Sequence, residues 1–158
     1  MIVIADSGPP HYLILIEQID LLRRFYGRVT IPEAVAQELG ASGSSAIVRN
    51  WITRPPEWVE IRHVPPELIE SIADELDPGE RAAIALAEMT RADLLLIDDS
   101  AGRAEARRRN LRVKGTLGVL RAAAEQGIVV VPKVLAQLRA TSFYVDEDLI
   151  NSIFGRWL

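Results

Sequence analysis

The chain contains no cysteine, which excludes disulfides and thiolate metal sites and is compatible with a reducing compartment. It also lacks any uncharged apolar run near the ~18–20 residues of a membrane span, so a membrane protein is not expected. Met1 to Asp6 has no basic leader and carries a charge at position 6. It reads as a core strand and not a signal peptide, which makes a cytoplasmic location the expectation. A strong charge of either sign is missing too. The net charge of −4 does not by itself announce a nucleic-acid partner. Lysine is scarce, with two against sixteen arginines.

What is present is apolar residue and locally concentrated charge. At 49% hydrophobic over 158 residues the chain can bury a core, and its length suits one domain spanning 1–158. Between Arg103 and Arg121 lie seven bases (Arg103, Arg107, Arg108, Arg109, Arg112, Lys114, Arg121) and one acid, Glu105. Guanidinium forks in such a segment suit phosphate oxygens, and a solvated helix face is the competing reading.

Short aliphatic runs alternate with helical patterns. Ile2 to Ala5, Val29 to Ile31, Trp58 to Ile61, Leu94 to Ile97 and Leu111 to Val113 read as strands. Helices are predicted from His11 to Ile16, onward to Tyr26, over Glu33 to Leu39, through Ile47 to Ile52, and from Pro66 to Ile72. Arg81 to Met89, Ser100 to Arg109, Leu117 to Gln126, Pro132 to Ala140 and Glu147 to Phe154 follow. Strands separated by helices imply an α/β protein with a parallel sheet covered on both faces. The final helices, from about residue 132, belong to the same domain. Leu149 and Ile153 are expected to dock on its core.

In such sheets a site lies beyond the carboxyl ends of the strands. Asp6 ends the first strand, and Asp98 and Asp99 end the fourth. Glu80 opens a helix near that level and Glu38 closes one. Several carboxylates brought together repel each other and call for a divalent cation; oxygen ligands without His or Cys favour Mg²⁺ or Mn²⁺. Ordinary capping competes with this reading at each position. Asp77 with Glu80 resembles a capping box, Asp98 or Asp99 suits the start of the next helix, and Asp99 could pair with Arg103. Spacing alone leaves both readings open. Gly115-Thr116 either shapes the site or caps a helix, and His11 reads as a partly buried helix residue.

Four stretches carry a resemblance: VIADSGP at 3–9, VTIPEAVAQEL at 29–39, LDPGERAAIALA at 76–87, and LLLIDDSAGRAEARRRNLRVKGTLGVL at 94–120. In this order they resemble the PIN-domain family, in particular bacterial proteins related to VapC-type toxins. The resemblance implies a three-layer α/β/α fold and a cluster of acids that binds Mg²⁺ or Mn²⁺ for RNA cleavage. It assigns Asp6, Glu80, Asp98 and Asp99 as metal ligands and Glu38 as a further catalytic acid. Which of Asp98 and Asp99 points inward stays open. Ser7 matches a small hydroxyl residue beside the first acid, with Thr116 in support. Pro10-His11 departs from the branch, which there has an apolar and then a small or polar residue.

The expected function is a metal-dependent endoribonuclease in which a metal-activated water cleaves RNA. It would be the toxin of a toxin–antitoxin pair, partnered by a small antitoxin and by a second copy in a homodimer. Arg103, Arg107, Arg108 and Lys114 are the expected phosphate contacts. The alternative is a non-catalytic PIN module that binds RNA or a protein. A receiver domain fits poorly because its paired acids follow the first strand. A phosphatase of the haloacid dehalogenase type would need a second Asp after Asp6-Ser7.

Overall fold

A computed structural model describes residues 1–158. Five short strands, β1 (Val3–Ala5), β2 (Val29–Pro32), β3 (Val59–Arg62), β4 (Leu94–Leu96) and β5 (Val113–Lys114), form one parallel sheet in the order β3-β2-β1-β4-β5. Between and after them run helices α1 (Gly8–Leu15), α2 (Asp20–Tyr26), α3 (Glu33–Leu39), α4 (Ala46–Thr53), α5 (Pro66–Ile69), α6 (Pro78–Thr90), α7 (Ser100–Arg108), α8 (Thr116–Glu125), α9 (Val131–Arg139) and α10 (Glu147–Phe154). No helix is long and apolar enough to cross a membrane.

The period of two in the strands divides the core. Val3, Ala5 and Leu96 face the larger cluster, together with Leu13, Val119, Leu120, Ile150 and Phe154 from α1, α8 and α10. Ile4, Leu95 and Ile97 face the opposite cluster, against Ile84 of α6 and Ala106 of α7. Helices therefore cover both faces, and the predicted three-layer α/β/α arrangement is the observed one. At roughly 25 cal/mol per Å² of apolar area, each fully buried Leu or Ile contributes about 1.5–3 kcal/mol to this packing.

Two details differ from the sequence-based expectation. The last strand begins at Val113, opposite Leu95, and not at Leu111. The Leu111 amide instead donates to the Ala106 carbonyl (3.0 Å), closing α7 through Asn110, whose φ is 64°. In α10 the fully buried residues are Ile150 and Phe154; Ile153, half-buried, packs against the core as expected, whereas Leu149 is 47% exposed. An i, i+4 pair can sit squarely on the core, and the residues one position earlier then fall beside it.

The strand order sets the site. The chain moves outward from β1 to β2 and β3, then returns to the other side of β1 for β4 and β5. Connections leave β1 and β4 toward opposite sides, opening a crevice at their carboxyl ends. Ala5 pairs with Leu96 at that edge, so Asp6 and the Asp98-Asp99 pair emerge into one crevice.

Candidate functional site

Asp6 is anchored by its own backbone. Its amide donates to the Leu96 carbonyl (2.9 Å), extending the ladder one residue past β1. Its side chain is 5% exposed, and Oδ1 is buried with no hydrogen-bond partner. A buried oxygen in this state is costly as an anion. Burial accordingly pushes the Asp6 carboxyl up to about 7; the charges of Asp77, Glu38 and Asp98 act in the same direction, against one backbone hydrogen bond at Ser7.

Glu80 stands at the third position of α6. The helix opens as a capping box would: Asp77 at the N-cap accepts from the Glu80 amide (2.8 Å), and Pro78 occupies the first turn. The Glu80 carboxylate turns away from a simple capping role. Its side chain is 7% exposed and Oε2 is buried without a partner. Burial raises its pKa, and the adjoining Asp77 and Asp99 carboxylates raise it further. A carboxyl held between two others favours keeping a proton or meeting a cation.

Asp98 and Asp99 divide the work. Both oxygens of Asp98 accept from Thr116, Oδ1 from its amide (2.6 Å) and Oδ2 from its hydroxyl (2.7 Å). Burial still raises the Asp98 pKa, while the two Thr116 bonds and the Arg103 charge oppose it. Asp99 caps α7 by accepting from the Gly102 amide (2.8 Å), and its carboxylate also adjoins that of Glu80. The expected Asp99–Arg103 pair does not form: Arg103 Nη1 donates to the Ile97 carbonyl (3.3 Å). Glu38, on α3, accepts from the Gly79 amide (3.0 Å), which ties it to the first turn of α6. Burial raises its pKa, with the Ser7 hydroxyl pulling the other way.

The crevice thus gathers Asp6, Glu38, Glu80, Asp98 and Asp99, with Ser7 and Thr116 beside them. It also contains Asp77, seen in the sequence only as a cap, and four glycines that crowd the acids: Gly8, Gly79, Gly102 and Gly115. A β-carbon on Gly8 would lie 2.9 Å from Asp98 Oδ2, and one on Gly102 would lie 2.8 Å from Glu80 Oε2. Their signal in the sequence is proximity to the acidic motifs, which spacing alone does not separate from turn or helix glycines.

The basic segment is less uniform. Arg103 and Lys114 border a cleft next to Asp98 and Asp99, and Arg107 is exposed on α7. Arg108 ends that helix, about 12 Å from its start. There Arg108 pairs with Glu105, as does Arg109, whose guanidinium also reaches Glu88 (2.9 Å) and the Ser71 carbonyl (2.6 Å). His11 is half-buried, edge-on to Tyr12 at 4.7 Å, and burial lowers its pKa.

No three His, Cys, Asp or Glu side chains stand as a set that could hold one metal ion in this arrangement. Glu38, Asp98 and Asp99 each accept a hydrogen bond from a backbone amide. The donor set nevertheless suits a hard divalent cation, since every donor is a carboxylate oxygen and two are buried without partners. Among known proteins, no curated sequence matches the chain. The model of family DUF3368, described as a PIN domain, matches residues 2–157. That match spans every strand and helix described above, so the chain belongs to the PIN-domain family, whose members are typically metal-dependent nucleases.

Proposed function

We propose that this protein is a metal-dependent endoribonuclease acting at the β1/β4 crevice. The carrying observation is the pair of buried, unpartnered carboxylate oxygens, Asp6 Oδ1 and Glu80 Oε2. Asp6, Glu80 and Asp98 or Asp99 would hold Mg²⁺ or Mn²⁺. When bound, such a cation supplies charge neutralisation among the acids, polarisation of the phosphodiester and activation of water. Thr116 fixes the rotamer of Asp98 through two hydrogen bonds. Asp77 and Gly79 hold the first turn of α6 and the Glu38 carboxylate in register. Glu38 would be a further ligand or orient the attacking water. Arg103 and Lys114 attract the phosphates flanking the scissile one.

The order of the motifs supports a more specific reading, the toxin of a toxin–antitoxin pair with a small antitoxin and a homodimeric assembly. A short antitoxin gene beside this one would support that reading, and its absence would count against it.

A second reading has its own observation. The acids as placed form no three-ligand set, as a vestigial PIN module that binds RNA without cutting it would also have. Cleavage of a structured RNA by the full chain with Mn²⁺ separates the two. Under the nuclease reading Asp6→Asn abolishes that cleavage; RNA binding without cleavage at every metal concentration favours the module.

A further inference from the structure

We propose that the outer edge of β3 is an interface for a second copy of this chain, in which the two β3 strands pair antiparallel about Ile61 and join two sheets into one. The proposal goes beyond the ribonuclease reading, giving the homodimer named there a surface, and it holds whether or not the crevice cleaves RNA.

β3 closes one side of the sheet, with only β2 beside it. The Val29 amide donates to the Trp58 carbonyl (3.0 Å), and the register pairs Thr30 with Glu60. Backbone groups alternate in direction along a parallel strand. Those of Glu60 therefore turn to β2, and the N–H and C=O of Ile61 turn outward. No backbone hydrogen bond from outside the sheet reaches Ile61. The side chains leave this edge open as well: Glu60, Ile61 and Arg62 are all exposed, Ile61 at 41%. An unpaired edge of this kind is a template for another strand. Pro55-Pro56 and Pro65-Pro66 bound it, so only a short ladder can form.

The residues around Ile61 select a second copy as the occupant. In an antiparallel pair centred there, Ile61 exchanges both outward backbone bonds with Ile61 of the partner subunit. Glu60 then lies opposite Arg62 of the partner subunit, and Arg62 opposite Glu60 of the partner subunit. These are non-hydrogen-bonded positions, where facing side chains come closest and opposite charges stabilise the pair. Glu60 and Arg62 take part in none of the chain's ion pairs, so both charges are free to meet across the axis. One two-fold operation thus satisfies both strands, as an isologous interface requires. The opposite edge of the sheet behaves differently. There the Leu95 and Ile97 amides donate to the Arg112 and Lys114 carbonyls, which leaves Val113 facing outward. Pairing two copies about Val113 would set Arg112 against a second lysine, two like charges. Self-pairing is therefore favoured at β3 and opposed at β5. A ladder this short buries less than the ~1,200 Å² of standard interfaces, which makes the dimer weak and concentration-dependent.

Analytical ultracentrifugation of the full chain across the micromolar to millimolar range tests this, with RNA cleavage measured on the same samples. The wild type should pass from monomer to dimer, and added salt should weaken the dimer. Glu60→Arg faces arginine with arginine and should raise the dimer Kd roughly tenfold; Arg62→Glu faces glutamate with glutamate and should do the same. An equimolar mixture of these two variants should form a heterodimer of wild-type affinity. The double reversal, Glu60→Arg with Arg62→Glu, should self-associate again. Recovery in either case also shows that the single variants fold. A wild type that stays monomeric throughout, or a dimer indifferent to both reversals, would overturn the interface even where RNA is cleaved and the nuclease reading stands. Losses that neither mixing nor the double reversal restores would overturn it too, as would a monomer holding a strand of another polypeptide at this edge. Charge-dependent dimers of a wild-type protein that never cleaves RNA would instead keep the interface and remove the nuclease reading.

Discussion

Gly102 lets the first turn of α7 pass close over the Glu80 carboxylate: a β-carbon there would stand 2.8 Å from Oε2 and 2.7 Å from Ile97 Cδ1. Ile97 is fully buried and Glu80 nearly so. Gly102→Ala should therefore cost about 1–3 kcal/mol by overpacking, against a helix-propensity gain of about 1 kcal/mol. It should also weaken Mn²⁺ binding. Denaturant melts and calorimetry check the two effects, and unchanged values for both would show that Glu80 swings aside freely.

Stability without metal should fall as pH rises. Asp6 titrates near the ordinary aspartate value of 3.8 when unfolded and at about 7 when folded. The folded state therefore holds a proton that the unfolded state has lost. The resulting stabilisation is full below about pH 4 and is lost as pH climbs through about 7, on the order of 4 kcal/mol in all. The raised pKa of Glu80 continues the trend. Asp6→Asn should flatten the first part of this profile and raise stability at pH 8 in chelator. A metal-free melting profile that rises between pH 4 and 7 would contradict the assignment.

Arginines on one helix should separate by role. Glu105, 7% exposed, accepts from both Arg108 and Arg109. Glu105→Ala and Arg108→Ala should lower stability, the former by about 1.5–3 kcal/mol, with little change in RNA affinity per folded molecule. Arg103→Ala should do the reverse. Equilibrium melts alongside RNA-binding isotherms would detect an exchange of these roles.

Thr116→Val removes the hydroxyl that binds Asp98 Oδ2 but keeps the amide bond to Oδ1. The carboxylate should then rotate more freely, weakening metal binding severalfold, a change of about 1 kcal/mol. Titration with Mn²⁺ reads this directly, and Thr116→Ser should restore most of it.

Much of the fold was legible because β1 and β4 are aliphatic runs ended by acids, and their helices carry clear apolar stripes. Asp6 was the most legible site residue for the same reason. The Asp98-Asp99 ambiguity was not resolvable from spacing, since both positions suit a cap. Only the register of β5 brings Thr116 up to Asp98 and leaves Asp99 to cap α7. Arg108 and Arg103 look alike in a basic run, and what separates them is Glu105 coming within reach of one and not the other. Leu149 and Ile150 differ by one step around α10, a rotation that sequence periodicity does not fix for an eight-residue helix.

The most direct test is calorimetric titration of the full chain with Mn²⁺, paired with RNA cleavage by the same samples, for the wild type, Asp6→Asn and Glu80→Gln. The account predicts wild-type binding that strengthens as pH rises through about 7, as the cation displaces the Asp6 proton. Both variants should lose binding and cleavage together while remaining folded. Wild-type protein that binds no Mn²⁺, or a folded Asp6→Asn variant that cleaves as well as wild type, would contradict it.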